Sequence, residues 1–142
     1  MSFEIDNAFG VLIANIRNLL KNRLEKDLQE YCISPAESII IRRLCEKDNL
    51  TQKELAKDTY FKQSSLTLLI DRLEKKGMVE RRAKKNDRRA YLICITNEGK
   101  KLEQILKDAS RKVEEEALKG VDKETEEQLI QILKNIHSNL KS

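Results

Sequence analysis

Between Lys62 and Thr96 the hydrophobic period of the chain switches from helical to alternating across a single glycine, and few folds accommodate that switch in so short a span. Leu66, Leu69, Ile70 and Leu73 fall at i, i+3, i+4 and i+7, the pattern of a helix buried on one stripe. Gly77 then predicts a left-handed stop, with Met78 folding back as its hydrophobic contact. Val79–Arg82 and Tyr91–Ile95 flank the polar loop Lys84-Lys85-Asn86-Asp87, which predicts a β-hairpin. Tyr91, Ile93 and Ile95 would face one way, Leu92 and Cys94 the other. Upstream, Thr51-Gln52-Lys53-Glu54 carries a capping-box pattern and starts a short helix with Leu55 and Ala56 inward. With the connector Asp58-Thr59-Tyr60-Phe61, the two helices make a helix-turn-helix.

The flanks are helical. Ile5, Phe9, Leu12, Ile13, Ile16, Leu20, Leu24 and Leu28 form one stripe of a first helix starting near Asp6, with Arg17, Lys21 and Asp27 on its other face. A helix of that length needs another long helix to cover it, from this chain or from a second copy. Ser34-Pro35-Ala36-Glu37 is a capping box with proline at the first helical position, a cap that contributes about 1 kcal/mol. Ala36, Ile40, Ile41, Leu44 and Cys45 then predict a buried helix to about Glu46, ended by Lys47-Asp48-Asn49. Thr96 or Asn97 caps a further helix with the stripe Leu102, Ile105, Leu106, Ala109 and Val113. Gly120 breaks it, and Asp122 caps a last helix with Leu129, Ile132, Leu133, Ile136 and Leu140 inward. An aromatic content of 4% against 37% charged residues favours long helices with wet faces over an all-β sandwich.

The charge is localised. Residues 61–101 hold 12 Lys and Arg against 5 Asp and Glu, whereas both flanks are slightly acidic. A basic segment set in acidic flanks is the electrostatic footprint of a nucleic-acid-binding module. Other classes lose ground. No apolar run approaches the roughly 20 residues that span a bilayer. No basic stretch precedes an apolar block at the N-terminus, so no signal peptide and a cytoplasmic location are expected. Cys32, Cys45 and Cys94 have neither disulfide nor zinc-site spacing, and the only histidine is His137, so no metal and no cofactor are expected. The chain has no glycine-rich phosphate loop and no nucleophile–base pair, and it is not expected to be an enzyme. Glu114-Glu115-Glu116 reads as a solvated helix face.

The side of the 63–75 helix opposite its buried stripe holds Ser64, Thr67, Leu68 and Asp71, with Lys75 a turn further on. The first half of such a helix is the part that enters a DNA major groove, which makes Gln63, Ser64, Ser65, Thr67 and Leu68 the candidate reading residues. Glutamine pairs with adenine, serine and threonine reach base edges or phosphates, and an outward leucine touches a thymine methyl. Small polar residues on an outward face are more often merely solvated; the exposed leucine and the adjoining hairpin tilt the balance. That hairpin carries Arg81, Arg82, Lys84, Lys85, Arg88 and Arg89 against Glu80 and Asp87. Crowded like charges are costly until a polyanion neutralises them. Asp87 is positioned to hold one guanidinium in a fork and aim the other outward.

These residues resemble the MarR family of transcriptional regulators. Leu50-Thr51-Gln52-Lys53-Glu54-Leu55-Ala56 is similar to the start of the family's helix-turn-helix, and Asp71-Arg72-Leu73-Glu74-Lys75-Lys76-Gly77-Met78-Val79-Glu80-Arg81 to its recognition-helix exit. Asp87-Arg88-Arg89-Ala90, followed by Ile93, Ile95 and Thr96, resembles its wing. The resemblance implies a mainly α fold with a small β-hairpin wing: a winged helix-turn-helix over residues 34–99, with long N- and C-terminal dimerisation helices over 1–30 and 100–142. It implies a homodimer on double-stranded DNA and a roughly palindromic operator; the expected role is that of a repressor or activator, with a repressor preferred. It also places Arg89 in the minor groove, held by Asp87, with Arg88 and Lys85 on phosphates. Relatives often respond to phenolic or other aromatic molecules bound between the dimer helices and the winged domain, so a small aromatic effector is implied. At Leu68 many relatives carry a basic or polar residue, and the operator sequence does not carry over. Two alternatives stand beside this reading. One is a thiol-based redox-responsive regulator, with Cys32 the candidate redox thiol, although the peroxide-sensing relatives place their cysteine early in the first helix. The other is a winged-helix adaptor that binds an acidic protein partner.

Overall fold

The computed structural model describes residues 4–85 and 87–141, the side chains of residues 87–89 excepted. A 3-10 turn, Glu4–Asn7, leads into α1 (Phe9–Leu28). Then come α2 (Pro35–Glu46), β1 (Leu50–Thr51), α3 (Gln52–Thr59), α4 (Gln63–Lys75), β2 (Val79–Lys84), β3 (Asp87–Ile95), α5 (Asn97–Lys101), α6 (Glu103–Ala117) and α7 (Lys123–Leu140). The strands form one antiparallel sheet in the order β1-β3-β2. This is a mainly helical winged helix-turn-helix.

Local chemistry accounts for most boundaries. The Ser34 hydroxyl accepts from the Glu37 amide at 3.1 Å, and the Glu37 carboxylate accepts from the Ser34 amide at 3.0 Å, completing the box that starts α2. Thr51 accepts from the Glu54 amide at 3.1 Å and donates its own proton to the Glu54 carboxylate at 3.0 Å. The exit of α4 is a Schellman turn: Gly77 has φ +75°, its amide donates to the Glu74 carbonyl at 3.0 Å, and the Met78 amide donates to the Leu73 carbonyl at 2.9 Å. Asp122 caps α7 by accepting from the Thr125 amide at 2.8 Å, after a left-handed Gly120.

Three features depart from the sequence-based expectation. β1 pairs Leu50 with Ile93 and Thr51 with Leu92; two residues are too few to show a period. The helix expected to run on from Thr96 breaks at Leu102, whose amide turns back to the Gly99 carbonyl at 3.1 Å. Just before the break α5 is closely packed against the base of the wing at Gly99. Third, Ile132, Leu133 and Leu140 of α7 are exposed, and Leu129 and Ile136 only half-buried, rather than inward. After the Gly120 turn that face is only partly covered by the described residues of its own chain.

The core is a single cluster built by α2, α4 and the sheet. Ile40, Ile41, Leu44, Leu66, Ile70 and Leu73 are buried against Leu50, Leu55, Ile93 and Leu106. From α1 only Leu28 is buried, while Phe9, Leu12, Ile13, Ile16 and Leu20 are exposed. Arg23 of α1 is salt-bridged to Glu116 of α6. The far end of α7 returns to the helix-turn-helix, where the His137 ring meets the Tyr60 ring edge-on at 4.3 Å and Lys141 Nζ lies 5.4 Å from its centroid.

Gly99 tests how tightly α5 is seated. A Cβ there would fall well inside contact distance of the Met78 carbonyl oxygen and 2.5 Å from Ile95 Cδ1. Gly99→Ala is expected to lower stability by about 1–3 kcal/mol in urea unfolding, the typical cost of overpacking. An unchanged midpoint would show that α5 yields freely.

Candidate nucleic-acid interface

The α4 stripe of Leu66, Leu69, Ile70 and Leu73 is seated in the core, which forces the opposite face outward. Gln63, Ser64, Ser65, Thr67 and Leu68 are all exposed on it, Leu68 by 59%. The N-cap position, Lys62, makes no side-chain cap, so the first amides of α4 are left for an external acceptor. Sequence reasoning missed one member of this surface. Gln52, the first residue of α3, donates from Nε2 to Thr67 Oγ1 at 2.6 Å and to Gln63 Oε1 at 3.4 Å. Thr67 Oγ1 in turn donates to the Gln63 carbonyl at 3.0 Å. The available signal was positional: both glutamines open a helix of the helix-turn-helix.

The wing is less free than its charge count suggests. Arg81 reaches back to α4 and donates to Asp71 Oδ1 at 2.6 Å and Glu74 Oε1 at 2.8 Å, while its amide donates to Glu74 Oε2 at 3.3 Å. Its side chain is only 22% exposed. Arg81 is therefore a strut between wing and helix, not a cation held out for a polyanion, and Asp71 on the outward face of α4 is its partner. Arg82 is bonded to Glu80 at 2.6 Å. Lys84 and Lys85 at the tip are exposed. Residues 87–89 belong to β3 by their backbone, with Asp87 opposite Lys84 across an irregularity between Ala83 and Lys84. The side chains of Asp87, Arg88 and Arg89, expected to carry the groove contacts, lie outside the described residues, as does Asn86.

A second concavity, of about 530 Å³, opens where the end of α1 meets the start of α2, lined by Glu25, Lys26, Gln29, Cys32, Ser34 and Glu37. Lys76 at the exit of α4 donates to Glu37 Oε2 at 2.8 Å and to the Cys32 carbonyl at 2.6 Å, so the cleft wall is bonded to the end of α4. Cys32 itself is exposed, in a left-handed conformation at φ 57°. The other thiols are poor nucleophiles. Burial, with the Glu103 carboxylate beside it, pushes the Cys45 thiol up to about 11, and burial with Asp48 nearby also raises Cys94. Among the described residues no cluster of His, Cys, Asp and Glu could hold a metal, and no helix is long and apolar enough to cross a membrane.

Comparisons with known proteins converge on this arrangement. Residues 33–91 match the model of the MarR family. YdgJ of Bacillus subtilis, an uncharacterised HTH-type transcriptional regulator, is 29% identical over 108 residues, which span 76% of this chain and 66% of that protein. The crystal structure of transcriptional regulator PA3341 superposes with a TM-score of 0.81 at 30% identity, over 94% of this chain and 98% of that one. The crystal structure of the MepR–DNA complex from S. aureus superposes at 0.86 with 23% identity, over 94% and 98% of the two chains.

The strut is testable without DNA. Arg81→Ala is expected to accelerate hydrogen exchange of the β2 and β3 amides and to cost about 1 kcal/mol, as a partly exposed ion network does. Unchanged wing protection would show that the sheet alone holds it.

Proposed function

This chain belongs to the MarR family and is a DNA-binding transcriptional regulator, and we propose that it acts as a cytoplasmic homodimeric repressor on an inverted-repeat operator. Residues 1–30 and 100–142 form the dimerisation region, and residues 34–99 the reading domain. The observation that carries the dimer is the unpartnered apolar face of α1 and α7. Ile13, Ile16, Leu20, Leu129, Ile130 and Leu133 line an open groove of about 1060 Å³ beside α6. A second copy laying its own α1 and α7 there removes the face from water, and a two-fold axis then spaces two reading heads about one helical turn apart.

On each half-site the start of α4 enters the major groove with Gln63, Ser64, Ser65, Thr67 and Leu68. The wing carries Lys84, Lys85, Arg88 and Arg89 to the backbone and adjacent minor groove, with Asp87 aligning Arg89. Repression follows from occupying the operator. A small aromatic or phenolic effector fits the cleft between α1 and α2. Glu37 in the cleft wall is bonded to Lys76 at the exit of α4, and by this link the effector would lower DNA affinity, favouring a spacing of the heads that DNA does not.

Selection of bound duplexes from a random pool tests the reading, and an inverted repeat is expected. Failure to recover any preferred duplex would refute operator recognition. Arg89→Ala is expected to weaken binding to that repeat by about 1–3 kcal/mol while the protein stays folded. Normal binding would remove Arg89 from the interface. Ile16→Glu, which puts a charge on the apolar face, is expected to halve the mass measured by light scattering; a parent chain that is already monomeric would refute the dimer.

A further inference from the structure

The contacts around Gln52 have a fixed polarity. A backbone carbonyl only accepts, so the 3.0 Å contact between Thr67 Oγ1 and the Gln63 carbonyl must use the threonine proton. With that proton spent, Thr67 Oγ1 can only accept from Gln52 at 2.6 Å, which makes the Gln52 atom facing it the amide nitrogen. The second N–H of that nitrogen points to the Gln63 amide at 3.4 Å and selects its oxygen, Oε1. The helix carbonyl thus sets the direction of every bond in the chain that follows. Gln63 is left with Oε1 drawn toward α3 and its amino group turned away.

We propose that Gln52 is a positioning residue for base recognition: it holds Gln63 so that this side chain offers N–H donors to the groove, and it leaves Thr67 with no proton to offer. The inference rests on the reading that the start of α4 enters the major groove. Bidentate recognition of adenine needs both halves of an amide, an oxygen for N6–H and a nitrogen for N7. Gln63 Oε1 keeps a second lone pair, but with that oxygen drawn toward α3 the amino group is the half of the amide that faces out, which favours an edge made of acceptors, and guanine presents O6 and N7 there. Thr67 contributes its γ-methyl and its one remaining lone pair, which suits a thymine methyl rather than a phosphate oxygen. The specificity of α4 is therefore set in part by α3, through a residue that need not touch a base.

The experiment is duplex selection from a random pool with the parent chain, Gln52→Ala, Gln52→Glu and Gln63→Ala, each first checked for an unchanged helical spectrum and thermal midpoint. The parent is expected to prefer guanine at one position of the half-site, by about fivefold or more over adenine, a magnitude typical of a directed base contact. Gln63→Ala should flatten that position. Gln52→Ala frees the amide to rotate, so adenine should rise to near parity at the same position, with the salt dependence of binding unchanged. Gln52→Glu has no donor and attracts the Gln63 amino group, turning Oε1 outward, so the preference should move to bases with a donor there, adenine or cytosine. A Gln52→Ala profile identical to the parent's, alongside a flattened Gln63→Ala profile, overturns the positioning role and leaves the groove reading standing. An unaltered profile in Gln63→Ala sinks the groove reading, and the inference with it.

Discussion

The Glu37 carboxylate is almost wholly buried and is satisfied from two directions, and it ties the exit of α4 to the start of α2. It accepts from the Ser34 amide at the start of α2 and from Lys76 at the end of α4, while Lys76 also holds the Cys32 carbonyl. A buried carboxylate without partners costs several kcal/mol, so parting the two helix ends at this residue is penalised. From that junction Lys76 leads into the left-handed Gly77 and then the first wing strand. The Thr96 hydroxyl donates to the Gly77 carbonyl at 2.6 Å, and its amide donates to the Met78 carbonyl at 3.1 Å. Asp48 accepts from the Ile95 amide at 2.8 Å. The position of the wing relative to α4 is set at its base by these bonds and along its length by Arg81.

Total charge and available charge differ here. The excess of cations over residues 61–101 is real, but Arg81 and Arg82 spend theirs on Asp71, Glu74 and Glu80. The lysines at the tip remain exposed. Arg81 and Arg82 are thus paired nearer the root, while Lys84 and Lys85 are open to solvent at the tip. The same division runs along α4, where Thr67 and Gln63 are held by Gln52 and the buried stripe faces the core.

What could be read early was whatever short-range chemistry decides. The capping box at Ser34, the side-chain N-cap at Thr51 (whose Glu54 bonds the threonine hydroxyl rather than its amide, so the expected box is not closed), the glycine stops at 77 and 120 and the buried stripe of α4 each involve residues within about a turn of one another. The α5–α6 break was hidden because no glycine or proline marks it at Leu102, and the close seat of Gly99 against the Met78 carbonyl, 21 residues upstream, forms only in the folded chain. Strand β1 was hidden for the same reason: Leu50 becomes a strand only because Ile93 is beside it. The apolar stripes of α1 and α7 were visible as stripes, but a period does not say what covers them.

Sequence alone therefore determined the long helices and the two wing strands, their order, the family resemblance and the outward residues Gln63, Ser64, Ser65, Thr67 and Leu68, because covalent neighbours dictate caps, turns and periods. Tertiary structure alone decided which charges are spent and which are offered, which amide oxygen is engaged, and which apolar faces stay open. Those outcomes depend on pairs such as Arg81 with Asp71, Lys76 with Glu37 and Gln52 with Thr67. Such pairs are brought within bonding distance only when the core closes, and no local pattern encodes them.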